Sequence, residues 1–378
     1  MSTRDPGFPG LALLYLFALL LAACAQANPA PLVNPAPLVT ATPTRAPAIT
    51  VPPTPNPTPP PTPTPEPELR QLTTGGCCVQ PGWSPDSRQV LFIDRSSESA
   101  LAGVYAVEII TGADKPPQII GRVGVYSQDR SLIAYPEKLE TVVERPSTGE
   151  KWKLSNVGQV TFAPDNSHLA WTDEPDNTSP YDQRRSDVYV ANVNGTEATR
   201  IARLYGGGLV GWLPDGFKIM VQGRPSLEVR ERTLTVLDLA TRASVNLVTA
   251  ERISGVAASK DGTWLAYYIT FDADKARNGI WVRRTDGSQA RKLETWGAYQ
   301  WRDDSHLLII PMRPPGVITS FEVWEMDAAS GVSRRLTDPL VTPLQILNGD
   351  WRVSPDGRYV VFVNSTDRNL WLLTLPTP

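Results

Sequence analysis

A short turn built around an aspartate recurs seven times along this chain, and each copy is followed by an apolar run. The clearest copies are residues 83–87 (WSPDS) and 353–357 (VSPDG), which precede the runs 90–92 and 360–362. The seven turn aspartates are Asp86, Asp129, Asp165, Asp215, Asp261, Asp304 and Asp356. A spacing of 36 to 52 residues is typical of a four-stranded repeat. Because one such unit cannot bury its own apolar face, the chain is expected to fold as an array of packed repeats.

The repeat predicts an all-β fold, a seven-bladed β-propeller over residues 68–378. Six blades are the alternative, because the second turn, residues 127–130 (SQDR), lacks the Pro and Gly of the others. The last repeat supplies only three strands before the chain ends. Residues 68–73 (ELRQLT) match the closing strands of earlier repeats and are expected to complete that blade. Ring closure of this kind removes exposed sheet edges.

The turn aspartates are expected to be structural. In a Pro-Asp-Gly turn the carboxylate accepts hydrogen bonds from nearby backbone amides, so it is already engaged. The two histidines of the chain, His168 and His306, occupy similar positions just after the turn aspartate. Their repetition also favours a structural role over catalysis.

The combination of an aromatic-Ser-Pro-Asp-Gly turn, two apolar strands and a closing Arg-Leu-Thr resembles the β-propeller repeat of TolB-type proteins, which are relatives of the WD repeats. The closing element is clearest at residues 334–337 (RRLT). The resemblance covers residues 68–375. It implies a propeller fold and a role in binding, scaffolding or assisting an enzyme, without naming a ligand.

The N-terminus has the pattern of an export signal. Arg4 precedes an apolar run of 13 residues, 11–23, which is too short to span a bilayer. The run ends in Leu21-Ala22-Ala23-Cys24, which resembles the bacterial lipobox, in which the cysteine is diacylated and becomes the new N-terminus. Residues 1–23 are therefore predicted to be a lipoprotein signal peptide and Cys24 the lipidation site, with an ordinary signal peptide as the alternative. The predicted location is a bacterial membrane surface, outside the cytoplasm.

Residues 24–67 are predicted to join the lipidated cysteine to the propeller through a disordered linker. Sixteen of the forty residues from 28 to 67 are proline, with threonine, alanine and little charge. Such a chain favours polyproline II, so the linker is expected to be an extended spacer that holds the propeller away from the bilayer.

Cys77 and Cys78 are adjacent in the sequence. Outside the cytoplasm a lone pair of cysteines suggests a disulfide. A bond between neighbours closes a strained eight-membered ring, so a vicinal disulfide and two free thiols both remain open. No cofactor is predicted, and a metal site needs more ligands than this segment supplies.

The candidate binding face is the one that carries the connections between second and third strands, which are long and charged. Loops on a rigid scaffold are where binding sites usually lie. Gly206-Gly207-Gly208 is expected to be a connection between blades that reaches the same face. The candidate binding residues are Asp176, Asp182, Arg184, Arg185, Arg230, Arg232, Asp272 and Asp274.

Composition and motifs restrict the function. The chain has 378 residues, 36 basic and 39 acidic, and a net charge of −3, without a basic block that would bind nucleic acid. Phosphate-loop, dinucleotide and Gly-x-Ser-x-Gly signatures are absent from the sequence. We therefore expect a membrane-tethered binding or scaffolding module for a protein or envelope polymer, and not an enzyme. The alternatives are a carboxylate- or metal-dependent hydrolase of sugars or lactones, and an envelope ligand sensor.

Overall fold

The computed structural model describes residues 67–76, 78–155, 158–176, 178–312 and 320–377. These residues belong to one unit, Thr62–Pro378. The predicted signal peptide, Cys24, nearly all of the linker and Cys77 lie outside the described residues. Among those described, no helix is long and apolar enough to cross a membrane.

The described residues form 27 strands and three short 3₁₀ helices. The strands are β1 (Glu68–Gln71), β2 (Val79–Trp83), β3 (Gln89–Asp94), β4 (Gly103–Glu108), β5 (Gln118–Arg122), β6 (Val125–Tyr126), β7 (Ile133–Glu137), β8 (Glu140–Arg145), β9 (Glu150–Ser155), β10 (Val160–Phe162), β11 (His168–Asp173), β12 (Arg185–Asn192), β13 (Thr199–Trp212), β14 (Lys218–Arg224), β15 (Arg232–Asp238), β16 (Ser244–Ala250), β17 (Ile253–Ala258), β18 (Trp264–Ile269), β19 (Gly279–Arg284), β20 (Ala290–Lys292), β21 (Gly297–Trp301), β22 (His306–Pro311), β23 (Trp324–Asp327), β24 (Ser333–Arg335), β25 (Ile346–Val353), β26 (Tyr359–Asn364) and β27 (Leu370–Thr374). The 3₁₀ helices are Gly112–Asp114, Tyr181–Gln183 and Lys275–Arg277.

The strands form antiparallel sheets arranged as a propeller. Five sheets are four-stranded: β2–β5, β6–β9, β17–β20, β21–β24, and β25–β27 with β1. The sixth sheet has seven strands, β10 to β16. The all-β propeller prediction is confirmed, but the structure shows five four-stranded blades, and the prediction of seven, or of six, is wrong. The reason is β13, which pairs with β12 and then with β14, so that strands expected in two blades share one sheet.

Three glycines let β13 change partners. Gly206 has a φ of +61°, and the register shifts between Tyr205 and Gly208. A Cβ on Gly207 would lie 1.9 Å from the carbonyl oxygen of Gln222, so only glycine permits this close approach. The segment predicted as a loop between blades is therefore part of a strand.

The N-terminal strand closes the ring, as predicted. β1 pairs antiparallel with β27, with Glu68 opposite Thr374 and Gln71 opposite Trp371. The first and last sheets also share a core in which Val90 and Phe92 pack with Leu372. Side-chain clusters of this kind fill the space between neighbouring sheets around the ring. Burial between sheets is what a single repeat cannot achieve alone.

The turn aspartates act on their own turns, as predicted, with one correction. Asp86 Oδ1 accepts hydrogen bonds from the Ser84 hydroxyl at 2.7 Å and from the Arg88 amide at 3.1 Å. These two bonds, the hydroxyl first, hold the pKa of Asp86 below its usual value. In the sixth repeat the turn residue is Asp303 rather than Asp304, because Asp303 accepts from the backbone amides of Ser305 and His306, each at 2.8 Å.

Candidate functional site

The two ends of each antiparallel sheet differ in what they carry. One end has the aspartate turns, and we call it the turn face. The other end has the connections between second and third strands and the connections between sheets, and we call it the loop face. The side chains that line one cavity come from the loop face.

This cavity, the arginine pocket, has a volume of about 350 Å³. Its lining residues are Asp182, Arg224, Arg230, Arg232, Glu251, Arg252 and Phe271. Arg224 ends β14 and Arg232 begins β15, and the other five residues come from the connections β11–β12, β14–β15, β16–β17 and β18–β19. Four arginines therefore face two carboxylates in one small cavity.

Arg232 anchors the floor of the pocket. It is buried, and its Nε donates to the Gly206 carbonyl at 2.7 Å, while Nη1 donates to the Glu251 carbonyl at 2.8 Å. Its Nη2 pairs with Asp182. The backbone at Gly206 is thus tied to two neighbouring connections, and every donor group of Arg232 is engaged inside the protein.

Arg230 and Glu251 form the outer wall. Their side chains make an ion pair at 3.0 Å, with Arg230 largely exposed. A pair this exposed stabilises the fold little, typically by about 0–1 kcal/mol. Arg230 is therefore free to exchange Glu251 for another anion at small cost.

Arg224 and Arg252 have no carboxylate partner among the described residues. Arg224 makes one hydrogen bond, from Nη1 to the Val229 carbonyl at 3.4 Å, and its Nε and Nη2 are buried without a partner. Arg252 lies over the ring of Phe271, with its guanidinium carbon 5.2 Å from the ring centroid. The positive charge of the pocket is consequently concentrated on these two side chains.

Phe271 is an unusual residue at the rim. Its side chain is 77% exposed, and its backbone has a φ of +58°, a region that bulky side chains rarely adopt. The next residue, Asp272, is buried and forms an ion pair with Arg277 at 3.1 Å. Backbone outliers of this kind concentrate at functional sites.

The structure brings three of the eight predicted binding residues together in the pocket: Asp182, Arg230 and Arg232. Arg184 instead supports its own loop, since it donates to the Ser179 carbonyl at 2.8 Å and pairs with Glu174 at 3.4 Å. Arg185 lies 3.5 Å from the buried carboxylate of Asp187. Neither of them lines the arginine pocket.

The remaining predicted residues are turn-forming carboxylates. Asp176 accepts hydrogen bonds from the Ser179 and Thr178 hydroxyls, and these bonds lower its pKa to about 2. Asp274 caps the 3₁₀ helix Lys275–Arg277 by accepting from the Ala276 amide at 3.0 Å. Asp272 is buried beneath the pocket rim rather than exposed for binding.

The candidate binding residues did not include Glu251 and Arg252, nor Arg224 and Phe271, which begin two of the charged connections on the predicted binding face. The signal for Glu251 and Arg252 was their place directly between β16 and β17, where two sheets join. Cys78 is disulfide-bonded, while Cys77 lies outside the described residues, so the vicinal pairing stays a prediction. Within the described ranges, no cluster of three or more His, Cys, Asp or Glu could hold a metal ion.

Comparison with known proteins identifies the fold. No protein-family model matches the chain, and no curated protein sequence matches it. An oligogalacturonate lyase solved in complex with manganese has a TM-score of 0.54 and 14% identity, over 82% of this chain and 91% of that one. The oligogalacturonate lyase of Vibrio parahaemolyticus has a TM-score of 0.55 and 12% identity, over 82% and 93%. A TolB from Agrobacterium tumefaciens is also similar, with a TM-score of 0.41 and 16% identity, over 82% and 98%.

These similarities correct one prediction. We expected a chain that is not an enzyme because catalytic motifs were absent, yet two similar structures, with TM-scores of 0.54 and 0.55, are enzymes with the same fold. The absence of those motifs is therefore no argument against activity on this scaffold. At 12% and 14% identity the similarity shows a β-propeller fold and leaves the activity of this chain open.

Proposed function

We propose that this chain is an extracytoplasmic lipoprotein whose propeller binds an acidic ligand in the arginine pocket. The observation that carries the proposal is the excess of arginine over carboxylate in the pocket, with Arg224 and Arg252 lacking a carboxylate partner among the described residues. A desolvated arginine is stabilised by an anion, and carboxylates and phosphates are its preferred partners. An acidic group of an envelope polymer or protein is the ligand class that fits.

The propeller begins on the face opposite to the pocket, because Glu68 lies opposite Thr374 at the turn-face end of β27. We propose that the lipid on Cys24 attaches the protein to the membrane. Two or three acyl chains on Cys24 would give stable attachment.

The anchor has a direct test. Cys24→Ala is expected to release the protein from membranes into the soluble extracytoplasmic fraction, because the acylated residue is lost. Fractionation of cells that express each form, followed by immunoblotting, measures this. Membrane retention of the variant would contradict lipidation at Cys24.

Acid binding is tested with the full chain in detergent. Calorimetric titration with galacturonate and inorganic phosphate is expected to show saturable binding that weakens with added salt, because exposed charge interactions are screened. Galactose is the neutral control and is expected not to bind. Equal binding of galactose and galacturonate would contradict a charge-selective pocket.

A second candidate function is the cleavage of acidic oligosaccharides. The observation that favours it is the fold shared with two oligogalacturonate lyases, together with a cationic pocket that suits a polyuronate. Incubation with oligogalacturonates, followed by mass spectrometry for unsaturated products, tests it. If the oligogalacturonate binds but stays intact, the result would argue for binding without cleavage. An envelope ligand sensor would use the same pocket.

A further inference from the structure

Arg224 offers an unusual set of donors. Its Nη1 already donates to the Val229 carbonyl at 3.4 Å. The two nitrogens without a partner, Nε and Nη2, are both buried. These two nitrogens share one edge of the guanidinium, and their N–H groups point in nearly parallel directions. Two vacant donors on one edge form a fork that matches two oxygens of a single anion.

The neighbouring acidic groups do not fill this fork. Glu251 is paired with Arg230 at 3.0 Å, and Asp182 is paired with Arg232. Arg232 also holds the Glu251 carbonyl, which fixes that segment of backbone. Buried donors without acceptors destabilise a folded protein, so nearly all of them find partners in native structures. An acceptor from outside the chain satisfies both donors at once.

The pocket lining also has an apolar surface beside a second positive charge. Arg252 lies over the ring of Phe271, and the strained backbone of Phe271 keeps that ring exposed at the rim. An anion held by the Arg224 fork would therefore have a flat apolar surface beside it. Ligands with an acidic group on a ring or a short carbon frame suit this combination.

We infer that Arg224 is the bidentate anchor of the arginine pocket and that it selects a two-oxygen anion, a carboxylate or a phosphate, carried on a compact frame. The inference rests on the proposed function, which it refines from general acidity to a defined geometry. Arg230 is a secondary contact at the rim, since its Glu251 pair is exposed. Arg232 is a positioning residue, because all its donor groups are engaged by the protein.

The test compares charge with geometry at one position. Lysine keeps the charge of arginine but lacks the planar fork. Calorimetric titrations of galacturonate and of inorganic phosphate are made on the full-length wild type, Arg224→Lys and Arg224→Gln. Both variants are expected to raise the Kd of the anion that binds the wild type by roughly tenfold to a hundredfold. Whichever probe binds the wild type more tightly distinguishes a carboxylate from a phosphate site.

One further variant and one further measurement make the outcome interpretable. Arg88→Gln removes an exposed arginine from the turn face and is the matched control, expected to bind like the wild type. Thermal unfolding of all variants reports whether the fold is retained, and Arg224→Gln is expected to be at least as stable as the wild type because it removes unpaired buried donors. Wild-type affinity that survives in Arg224→Lys would overturn the bidentate anchor alone. Absence of saturable binding of either probe to the wild type would overturn the proposed function and the anchor together.

Discussion

Two cavities on opposite faces of the propeller show how differently the same residue types can be used. The turn face has a hollow of about 220 Å³, and the loop face has the arginine pocket of about 350 Å³. Both are lined by charged side chains. The turn-face hollow is lined by Leu213, Asp215, Lys218, Asp261, Gly262, Thr263, Arg284 and Thr285.

The charges in the turn-face hollow are satisfied by the turns themselves. Lys218 pairs with Asp215 at 2.6 Å, and Asp261 accepts from the Thr263 amide at 2.9 Å. Arg284 lies 3.4 Å from Asp286. The arginine pocket, in contrast, leaves two arginines without a carboxylate partner among the described residues. The turn residues therefore stabilise the scaffold, whereas Arg224 and Arg252 carry charges that no described carboxylate balances.

The largest expected effect tests whether the turn face is structural. Arg302, which is 1% exposed, donates to the Gly357 carbonyl at 3.0 Å and pairs with Glu325. Arg302→Met is expected to lower the free energy of unfolding by about 3–5 kcal/mol, because it leaves a buried carboxylate without its buried partner. Urea unfolding followed by tryptophan fluorescence measures the change. A loss below about 1 kcal/mol would break the contrast between the two faces.

A smaller loss is expected from one hydroxyl of the repeated turn. The fully buried Ser354 donates to Asp356 at 2.6 Å and accepts from the Tyr359 amide at 2.9 Å. Ser354→Ala is expected to cost about 1–3 kcal/mol, since the Tyr359 amide loses its acceptor. The matched control is Ser288→Ala, an exposed serine that donates to Asp286. Equal losses in the two variants would show that burial of the turn does not matter.

On the loop face, the expected effect falls on affinity rather than stability. Arg252 contacts the Phe271 ring and has no carboxylate partner among the described residues. Arg252→Gln is expected to weaken galacturonate binding by roughly threefold to tenfold, with an unfolding free energy within about 0.5 kcal/mol of wild type. Titration calorimetry and urea unfolding measure the two quantities. A variant that loses stability but keeps its affinity would show that Arg252 stabilises the fold and does not contribute to binding.

The smallest expected effect concerns pH. Burial raises the pKa of Asp129, but hydrogen bonds from Ser131 and Ser127 outweigh it and lower the pKa to about 2, below the ordinary value of 3.8. The folded state thus binds its proton less tightly than the unfolded state, so the stabilisation is complete above the ordinary value and is lost as pH falls through about 2. Asp129→Asn is expected to have a shallower loss of stability between pH 5 and pH 2, measured by thermal unfolding. Parallel pH profiles would contradict this role.

Local chemistry made much of the scaffold predictable from the sequence. The turn around Asp86, the closing strand at Glu68 and the charged connection at Arg230 all follow from short patterns. The predicted blade count was wrong at Gly206–Gly208. A glycine-rich segment between two repeats is typical of a loop, and the sequence does not show that Gly207 packs closely against Gln222. The prediction of Asp304 as the turn residue was wrong for a similar reason. Asp303 and Asp304 offer the same side-chain chemistry, and only the backbone conformation determines that Asp303 accepts the turn hydrogen bonds.

The pocket was only partly predictable because it depends on which connections become neighbours around the ring. Asp182 and Arg232 are 50 residues apart, yet they form an ion pair. Arg252 contacts the ring of Phe271, which lies in the β18–β19 connection of the following sheet. No local pattern encodes such distances, whereas each turn is complete within about six residues.

The pairing of β1 with β27 has a consequence for the order of events in synthesis. The two strands are about three hundred residues apart, so the first strand of the propeller must wait for the last before either edge is covered. Contacts between such distant segments form slowly. Until then the growing chain exposes an unpaired edge at each end, which makes the interval before closure the stage at which this protein is most open to proteases and to aggregation.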